Sequence, residues 1–210
     1  MARRDAGAGA AGRAHARPER VVHPLTPVVG PESRVLLLGT MPSPRSRERG
    51  YHYGNPQNRF WRVIAALWDE EVPADVAGKR ELCLRHRLAL DDVLLACTIT
   101  GASDSSIEDP VPNDLSRILE VAPIVRVFCT GTAAFRLYRR YVEPEVGMEA
   151  TCLPSTSPAN ARWRLPDLVE AYRPVREAAD GVPAGGRRAG GDGGAGEWTR
   201  DSKDGSWESS

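Results

Sequence analysis

Four consecutive apolar residues, Val35–Leu38, constrain most tightly how this chain of 210 residues can fold. A run this short, without polar residues to face solvent, is typical of a strand buried on both faces of a sheet. It ends at Gly39-Thr40-Met41-Pro42, where glycine permits unusual backbone angles and proline cannot continue a ladder of hydrogen bonds. A polar loop leads to Asn58, and apolar residues then recur at helical spacing over Arg59–Trp68. This order predicts a ligand site at the carboxyl end of a strand in an open α/β sheet.

Helical and strand signals alternate along the rest of the chain. Strands are predicted at Arg34–Leu38, Ile124–Cys129 and Met148–Leu153, and helices at Arg59–Trp68, Ala77–His86, Asp114–Glu120, Ala133–Tyr141 and Trp163–Ala178. Asp91 and Asp92 precede an apolar piece, Val93–Cys97, that fits a short helix or a strand, and 98–112 is predicted as a polar loop. The pattern predicts an α/β fold with three αβα layers around a central, mostly parallel sheet of four strands.

Composition divides the chain into three parts. Residues 1–22 are rich in Ala, Gly and Arg, and 181–210 are rich in Gly, Ser and charged residues. Neither part carries enough apolar surface to offset the entropy of ordering it, so we predict a disordered basic arm and a disordered tail. The remaining residues, 23–180, have the usual size of one domain.

Charge and cysteine usage exclude several classes of protein. The formal net charge is zero, so any nucleic-acid contact would depend on a local patch together with the basic arm. The four cysteines form no C-x-x-C pair, which argues against a structural zinc site, an iron–sulfur cluster or a disulfide framework. No apolar run reaches the length of a membrane span. We expect a cytoplasmic monomer that contacts no membrane and needs no metal or other cofactor.

Two polar loops follow predicted strands and should therefore lie on the same rim of the sheet. They cover 39–58 and 154–162 and offer amides, hydroxyls, aromatic rings and arginine, without a P-loop or a dinucleotide fingerprint. Such groups suit flat, hydrogen-bonding ligands that carry a phosphate. This interpretation requires Asn58 and the turn Ser155–Ser157 to face one slot.

Three blocks on these loops carry a resemblance to a known family. The blocks are LGTMP from Leu38, YHYGNPQNRFW from Tyr51 and LPSTSPAN from Leu153. Together they resemble the uracil-DNA glycosylase superfamily, and most of all its hypoxanthine-DNA glycosylase (DNA-deoxyinosine glycosylase) family, over roughly residues 33–175. The resemblance implies a monofunctional enzyme of base-excision repair, associated with the nucleoid when it acts, that hydrolyses the N-glycosidic bond of a flipped, deaminated base in double- or single-stranded DNA.

The resemblance also implies roles for particular residues. Asn58 would be the catalytic residue, orienting water or hydrogen-bonding the departing base, although an asparagine here could equally cap the following helix. Base contacts would come from the strand-one motif and two further residues: Gly39, Thr40, Met41, Pro42, Tyr53, which would stack on the base, and Asn113, for which a helix cap is an alternative. DNA contacts would come from Ser155, Thr156, Ser157, Pro158, Asn160 and Arg162, with either Asn160 or Arg162 filling the hole left by the flipped nucleotide.

One departure from the superfamily pattern weakens general-base catalysis. Many relatives carry Asp or Asn just after the strand-one glycine, whereas this chain has Thr40 and Met41. Slow turnover, dominated by departure of the base, is therefore expected. His52 could donate to a phosphate, and Asp104 is either a pocket carboxylate or a solvated loop acid. The alternatives in function are a mismatch-specific uracil/thymine-DNA glycosylase and a catalytically weak DNA-binding module of the same fold.

Overall fold

A parallel sheet of four strands forms the centre of the domain. The computed structural model describes residues 17–181 and, of the tail, only the backbone of two short strands. The central strands are β2 (Val35–Gly39), β3 (Leu88–Asp92), β6 (Arg126–Thr130) and β7 (Ala150–Leu153), in the spatial order β3-β2-β6-β7. All three neighbouring pairs are parallel, so every carboxyl end lies on one rim of the sheet.

Helices cover both faces of this sheet and enclose two apolar cores. One face is covered by α2 (Phe60–Leu67), α3 (Val76–Arg85), α7 (Leu165–Ala171) and α8 (Arg173–Asp180), and the other by α4 (Ser116–Val121) and α5 (Thr132–Tyr141). Successive residues of β2 alternate between the cores, because side chains of a strand point to opposite faces. The predicted three-layer α/β fold is confirmed.

A second, antiparallel sheet packs beside α4 and was not predicted. Its strands are β1 (Pro18–Val22), β4 (Leu94–Thr100) and β5 (Glu108–Pro112), in the order β1-β4-β5. The open choice at 93–97 is thereby settled as a strand, and the predicted loop at 98–112 is wrong over most of its length. Strand β5 contains two prolines and two acids in five residues, a composition that does not predict a strand. The structure accommodates the prolines because β5 is an edge strand, where proline is tolerated.

The structure also corrects several predicted boundaries. The loop after β2 contains a short helix, α1 (Pro44–Arg49), which Ser43 caps and Gly50 ends. The predicted final helix is two helices, because Pro174 has no N–H to continue the first and starts a second. Helix α4 begins at Ser116, so Asn113 does not cap it. A further short helix, α6 (Glu143–Val146), precedes β7.

Only part of each segment that flanks the central domain belongs to the described residues. Residues 18–22 form β1 and pair with β4, so this part of the predicted disordered arm is ordered. The rest of the arm, residues 1–16, lies outside the described residues. Most of the predicted disordered tail does so too, except for the antiparallel strands β8 (Trp198–Arg200) and β9 (Trp207–Ser209). Among the described residues, none of the helices combines the length and apolar character needed to span a bilayer.

Candidate active site

A cavity of about 290 Å³ opens at the rim where the strands end. It lies beside the carboxyl ends of the neighbouring strands β2 and β6. The strand order reverses between these two strands, since β3 lies on one side of β2 and β6 on the other, and open α/β sheets bind ligands at such a point. Asn58 and the turn Ser155–Ser157 both line the cavity. The predicted requirement that these two segments face one slot is met.

Most of the residues singled out from the sequence lie at this cavity. Those that line it are Gly39, Thr40, Met41, Pro42, Tyr53, Asn58, Ser155, Thr156, Ser157 and Pro158. Asn113, Asn160 and Arg162 are not among the lining residues. Asn160 donates from Nδ2 to the Ser155 carbonyl (2.9 Å) and braces its own loop, whereas Arg162 is exposed.

Asn58 occupies the start of helix α2 at the edge of the cavity. Its Oδ1 accepts a hydrogen bond from the Phe60 backbone N–H (2.9 Å), the first N–H of the helix, so it serves as a cap although Arg59 holds the N-cap position. Its Nδ2 group donates no hydrogen bond to any described residue. One half of the carboxamide therefore holds the helix while the other half remains available to a ligand.

Arg59, which follows Asn58, joins the two loops. Its guanidinium donates to the carbonyls of Ser157 (2.7 Å), Asn160 (3.1 Å) and Thr156 (3.3 Å), and also to that of Trp163. Its backbone N–H donates to the Thr156 carbonyl as well (3.1 Å). A planar group with five N–H donors suits such a cluster of carbonyls, and it fixes the distance between the two walls of the cavity.

Tyr53 forms part of the inner wall. Its ring stacks on Phe60 with centroids 3.6 Å apart and planes 8° from parallel, and its hydroxyl bonds the Thr130 hydroxyl (3.0 Å). Its backbone lies in the left-handed region, with φ of 53°. Burial, with a smaller contribution from the charge of Asp92, raises the pKa of Tyr53 well above its ordinary value. The neutral ring therefore presents a rigid, flat surface to the cavity.

Asp92 lies in the wall of the cavity and is the functional candidate that sequence reasoning missed. It ends β3, where it pairs with Gly39 of β2, and it is 6% exposed. Its Oδ2 lies 2.9 Å from Nε2 of His23 and 3.3 Å from Nδ1 of His52. An acid doublet directly after the apolar run Leu88–Leu90 was the available signal, since charged groups at the carboxyl end of a buried strand fall on the ligand rim.

Buried hydrogen bonds fix the charges in this network. Burial alone would raise the pKa of Asp92, but hydrogen bonds from His23 and His52 outweigh it and hold that pKa well below its ordinary value. Burial would lower the pKa of His52, yet the Asp92 carboxylate, with help from Asp91, leaves it above its ordinary value. The network therefore favours an ionised Asp92 beside a protonated His52.

Two further predictions are resolved by these contacts. His52 bonds Asp92 and the Thr26 carbonyl (3.1 Å), so its ring nitrogens are occupied and it is not a phosphate donor. Asn113 is buried behind the site, where Nδ2 donates to Asp91 (2.9 Å) and to the Asp92 carbonyl (3.2 Å). It positions the Asp91–Asp92 corner and does not reach the cavity.

Asp104 lies on the rim of the cavity, as the pocket alternative anticipated. Its Oδ2 accepts from the Thr40 hydroxyl (2.9 Å), yet the residue as a whole is exposed, so the description as a solvated loop acid holds as well. Burial of the carboxylate, together with the charge of Asp92, raises the pKa of Asp104 above its ordinary value despite the hydrogen bond from Thr40. The pKa of Asp92 is therefore lowered and that of Asp104 raised, although both carboxylates belong to residues that line the cavity.

His23, His52 and Asp92 also form a group with the composition of a metal site. Their potential ligand atoms all lie within 4.8 Å of one another, and all three residues are buried. In the structure Nε2 of His23 hydrogen-bonds Asp92 Oδ2, and Nδ1 of His52 forms an ion pair with the same oxygen, so these potential ligand atoms are already paired with one another. The expectation that the protein needs no metal remains a prediction.

The family model of the uracil DNA glycosylase superfamily matches residues 26–177, which include every element that builds the cavity. The chain belongs to the uracil DNA glycosylase superfamily. The resemblance seen in the three loop blocks is thereby confirmed, and the cavity at the sheet rim is the candidate active site of a DNA glycosylase.

Individual relatives and a solved structure agree with this assignment. The chain is 34% identical over 137 residues to a protein of Methanosarcina acetivorans named hypoxanthine DNA glycosylase, an alignment that covers 65% of this chain and 86% of the relative. It is 28% identical, with the same coverage, to a protein of that name from Methanosarcina barkeri. A solution NMR structure from Methanosarcina acetivorans, provisionally named a uracil DNA glycosylase, superposes with a TM-score of 0.62 at 29% identity, covering 73% of this chain and 97% of that one.

Proposed function

We propose that this DNA glycosylase excises hypoxanthine, the deaminated form of adenine, from DNA. The observation that carries the proposal is the pairing of Asn58 with the Ser155–Ser157 turn across one polar cavity. The cavity holds about ten times the volume of a water molecule in the liquid, which suits a purine of about ten non-hydrogen atoms. Two relatives that carry the name hypoxanthine DNA glycosylase support the same substrate.

The substrate base must leave the duplex to reach this site. Flipping costs a few kcal/mol, and the cost is lowest for a mispaired base such as hypoxanthine. The Tyr53 ring, supported from behind by Phe60, would stack on the flipped base. Stacking of this kind is worth about 1–3 kcal/mol per base, which offsets much of the cost.

The turn after β7 would hold the backbone of the flipped nucleotide. The hydroxyl oxygens of Ser155 and Ser157 accept hydrogen bonds from backbone N–H groups (3.2 and 3.3 Å), which leaves their own hydrogens free to donate to a phosphate. Of the two candidates to fill the gap in the duplex, Arg162 is the better placed, because it is exposed on the same loop whereas Asn160 is engaged with Ser155.

The reaction is a hydrolysis at C1′ of the sugar. The bond from C1′ to N9 breaks, its electron pair leaves with the base, and the oxygen of a water molecule bonds C1′. One water proton is released and the base takes up a proton, which leaves an abasic site and free hypoxanthine. The free Nδ2 of Asn58 would donate to the departing base, where negative charge develops.

The contacts of the domain support hydrolysis without strand cleavage. Lys79 packs against the rings of Tyr51 and Trp61, with its Nζ 4.8 and 5.9 Å from their centroids. It is not among the residues that line the active-site cavity. An amine nucleophile for a lyase step is therefore absent from the described part of this site, and a monofunctional enzyme is proposed.

Cleavage of defined oligonucleotides tests the proposal. Duplexes and single strands with one deoxyinosine, deoxyuridine or G·T mismatch are incubated with the protein, and alkali then reveals abasic sites. Preferential release of hypoxanthine is expected. Preference for uracil or mismatched thymine would favour the second candidate, to which the name of the NMR relative points. Binding without release from any substrate would indicate a DNA-binding module.

A further inference from the structure

The carboxylate of Asp92 has one oxygen in contact with histidine and one beside Gly39, a residue that lines the cavity. Oδ2 bonds the two histidines, whereas Oδ1 has no hydrogen-bond partner among the described residues. A side-chain carbon on Gly39 would lie 2.2 Å from Oδ1, so this oxygen fills the space beside the strand-one glycine. Asp92 is itself one of the lining residues. The site therefore contains an unused anionic acceptor that the strand-one motif does not supply.

The two histidines keep this carboxylate in its ionised form. Their hydrogen bonds keep the pKa of Asp92 well below its ordinary value although it is buried, so the group is ionised at neutral pH. An ionised carboxylate accepts hydrogen bonds and cannot donate one. A ligand atom that meets Oδ1 must therefore be a donor, because another acceptor would leave a buried charge unpaired.

Depth in the cavity decides which part of the nucleotide meets Asp92. Asp92 ends β3 and is 6% exposed, whereas Asn58, Ser155 and Ser157 are only half-buried. The sugar and phosphate remain attached to DNA and must stay at the mouth. The edge of the base that lies farthest from the sugar is then the part that reaches Asp92.

Deamination replaces a hydrogen-bond acceptor on that edge of the base by a donor, which a carboxylate can bind. In adenine the ring nitrogen N1 is an acceptor, whereas in hypoxanthine it carries a hydrogen; N3 of cytosine and uracil differ in the same way. We infer that Asp92 is a specificity-determining residue, whose Oδ1 accepts the imino N–H that deamination creates. Guanine also carries N1–H, so Asp92 separates deaminated bases from adenine and cytosine and not from guanine. This inference rests on the proposed glycosylase function.

The test compares Asp92→Asn with a charge-matched control, Asp109→Asn, at an exposed position of β5. Each protein is assayed on duplexes with one deoxyinosine or one 2′-deoxynebularine, whose base has an acceptor at N1. A carboxamide can donate to that acceptor, whereas the carboxylate cannot. Asp92→Asn should lower kcat/KM on deoxyinosine by about 10- to 100-fold, the value of one hydrogen bond to a charged group, and lower the deoxyinosine-to-nebularine ratio by at least about 10-fold. The control should keep the wild-type ratio.

A measurement on the wild-type protein covers the case in which the buried substitution prevents folding. Free hypoxanthine, purine and N1-methylhypoxanthine are compared as inhibitors of deoxyinosine cleavage. Hypoxanthine should inhibit at concentrations at least about 10-fold lower than the other two bases, which carry no hydrogen on N1. Equal inhibition by the three bases would overturn the inference.

The outcomes separate the inference from the function on which it rests. The Asp92→Asn protein could fold and keep the wild-type ratio of activity on deoxyinosine to activity on nebularine, even if both activities fall equally. That result would show that Asp92 does not select the base. If the wild-type protein releases no base from deoxyinosine or deoxyuridine, the proposed function itself fails. A lowered ratio together with selective inhibition by hypoxanthine would support the assignment.

Discussion

Gly39 and Asp92 are paired across two neighbouring parallel strands, and the Asp92 carboxylate occupies the volume that a side chain at residue 39 would need. The strand-one motif lacks the acid or amide that many relatives carry, but the structure places an acid beside it from the next strand. The site therefore contains a negative charge, although the loop that follows β2 does not supply it at the strand-one motif.

Substitution of Gly39 should disturb the site more than the fold. In Gly39→Ala the added carbon would lie 2.2 Å from Asp92 Oδ1, so the carboxylate must move. We expect kcat/KM on deoxyinosine to fall by at least about 10-fold, the loss of roughly one hydrogen bond to a charged group. Cleavage kinetics and thermal unfolding are measured together. Wild-type kinetics would show that the site tolerates a displaced Asp92.

Two substitutions separate the roles of Asn58. Asn58→Asp keeps an oxygen that can cap helix α2 but removes the Nδ2 donor, whereas Asn58→Ala removes both. The Ala variant should lose about 1 kcal/mol of unfolding free energy and the Asp variant much less. Both should lose about 100- to 1,000-fold in kcat if the donor stabilises the departing base. Full activity in Asn58→Asp would assign Asn58 to the helix cap alone.

Arg59 should be needed for the shape of the cavity. Lysine in its place keeps the charge but cannot donate to four carbonyls in one plane. Arg59→Lys should lower the free energy of unfolding by about 1–3 kcal/mol and raise KM for DNA. Arg62→Lys, an exposed position on the same helix, serves as the control and should change neither value. Equal behaviour of the two variants would contradict the proposed clamp.

The polar network should make stability depend on pH. The folded-state pKa of His52 lies above its unfolded value of about 6.5, so its contribution is complete below that pH and is lost as pH rises through the folded pKa. Thermal unfolding from pH 5.5 upward should show this loss. His52→Gln should lack it, and so should Asp92→Asn, because the carboxylate is what raises the pKa of His52. Persistence of the slope in both variants would place its origin elsewhere.

Changes at Tyr53 should separate stacking from hydrogen bonding. Tyr53→Phe keeps the ring and loses the bond to Thr130, so kcat/KM should change by less than about 10-fold. Tyr53→Ala removes the stacking surface and should cost about 10- to 100-fold, which corresponds to 1–3 kcal/mol per stacked base. Similar losses in the two variants would argue against stacking on the base.

Local patterns predicted β2, β6 and β7 of the central layer, but β3 (Leu88–Asp92) was missed, because the undecided apolar piece 93–97 beside it belongs to the other sheet. The recognised patterns include Val35–Leu38 and the apolar face of α2, and the rim position of the two loops follows from parallel topology. The antiparallel sheet was missed because β5 is short, acidic and rich in proline. Asp92 and His23 escaped notice because they lie 69 residues apart and meet only through tertiary packing.

The same limit applies to Arg59 and Asn113. Arginine after a helix-capping residue predicts a solvated side chain, and nothing local indicates that it would bond carbonyls about 100 residues away. Asn113 fits a helix cap by pattern, but the buried carboxylate of Asp91 and the Asp92 carbonyl attract its amide instead. Long-range hydrogen bonds of this kind are decided by the assembled fold.

Strand β1 has a practical consequence for anyone who trims this protein for expression. His23, which sits under Asp92, directly follows the strand that runs from Pro18 to Val22. A chain shortened to begin at residue 23, where composition places the start of the domain, would leave that imidazole on a loose end with a free amino group beside it. We therefore expect such a shortened protein to be poor material for measuring which bases the enzyme accepts, because the support of Asp92 is altered.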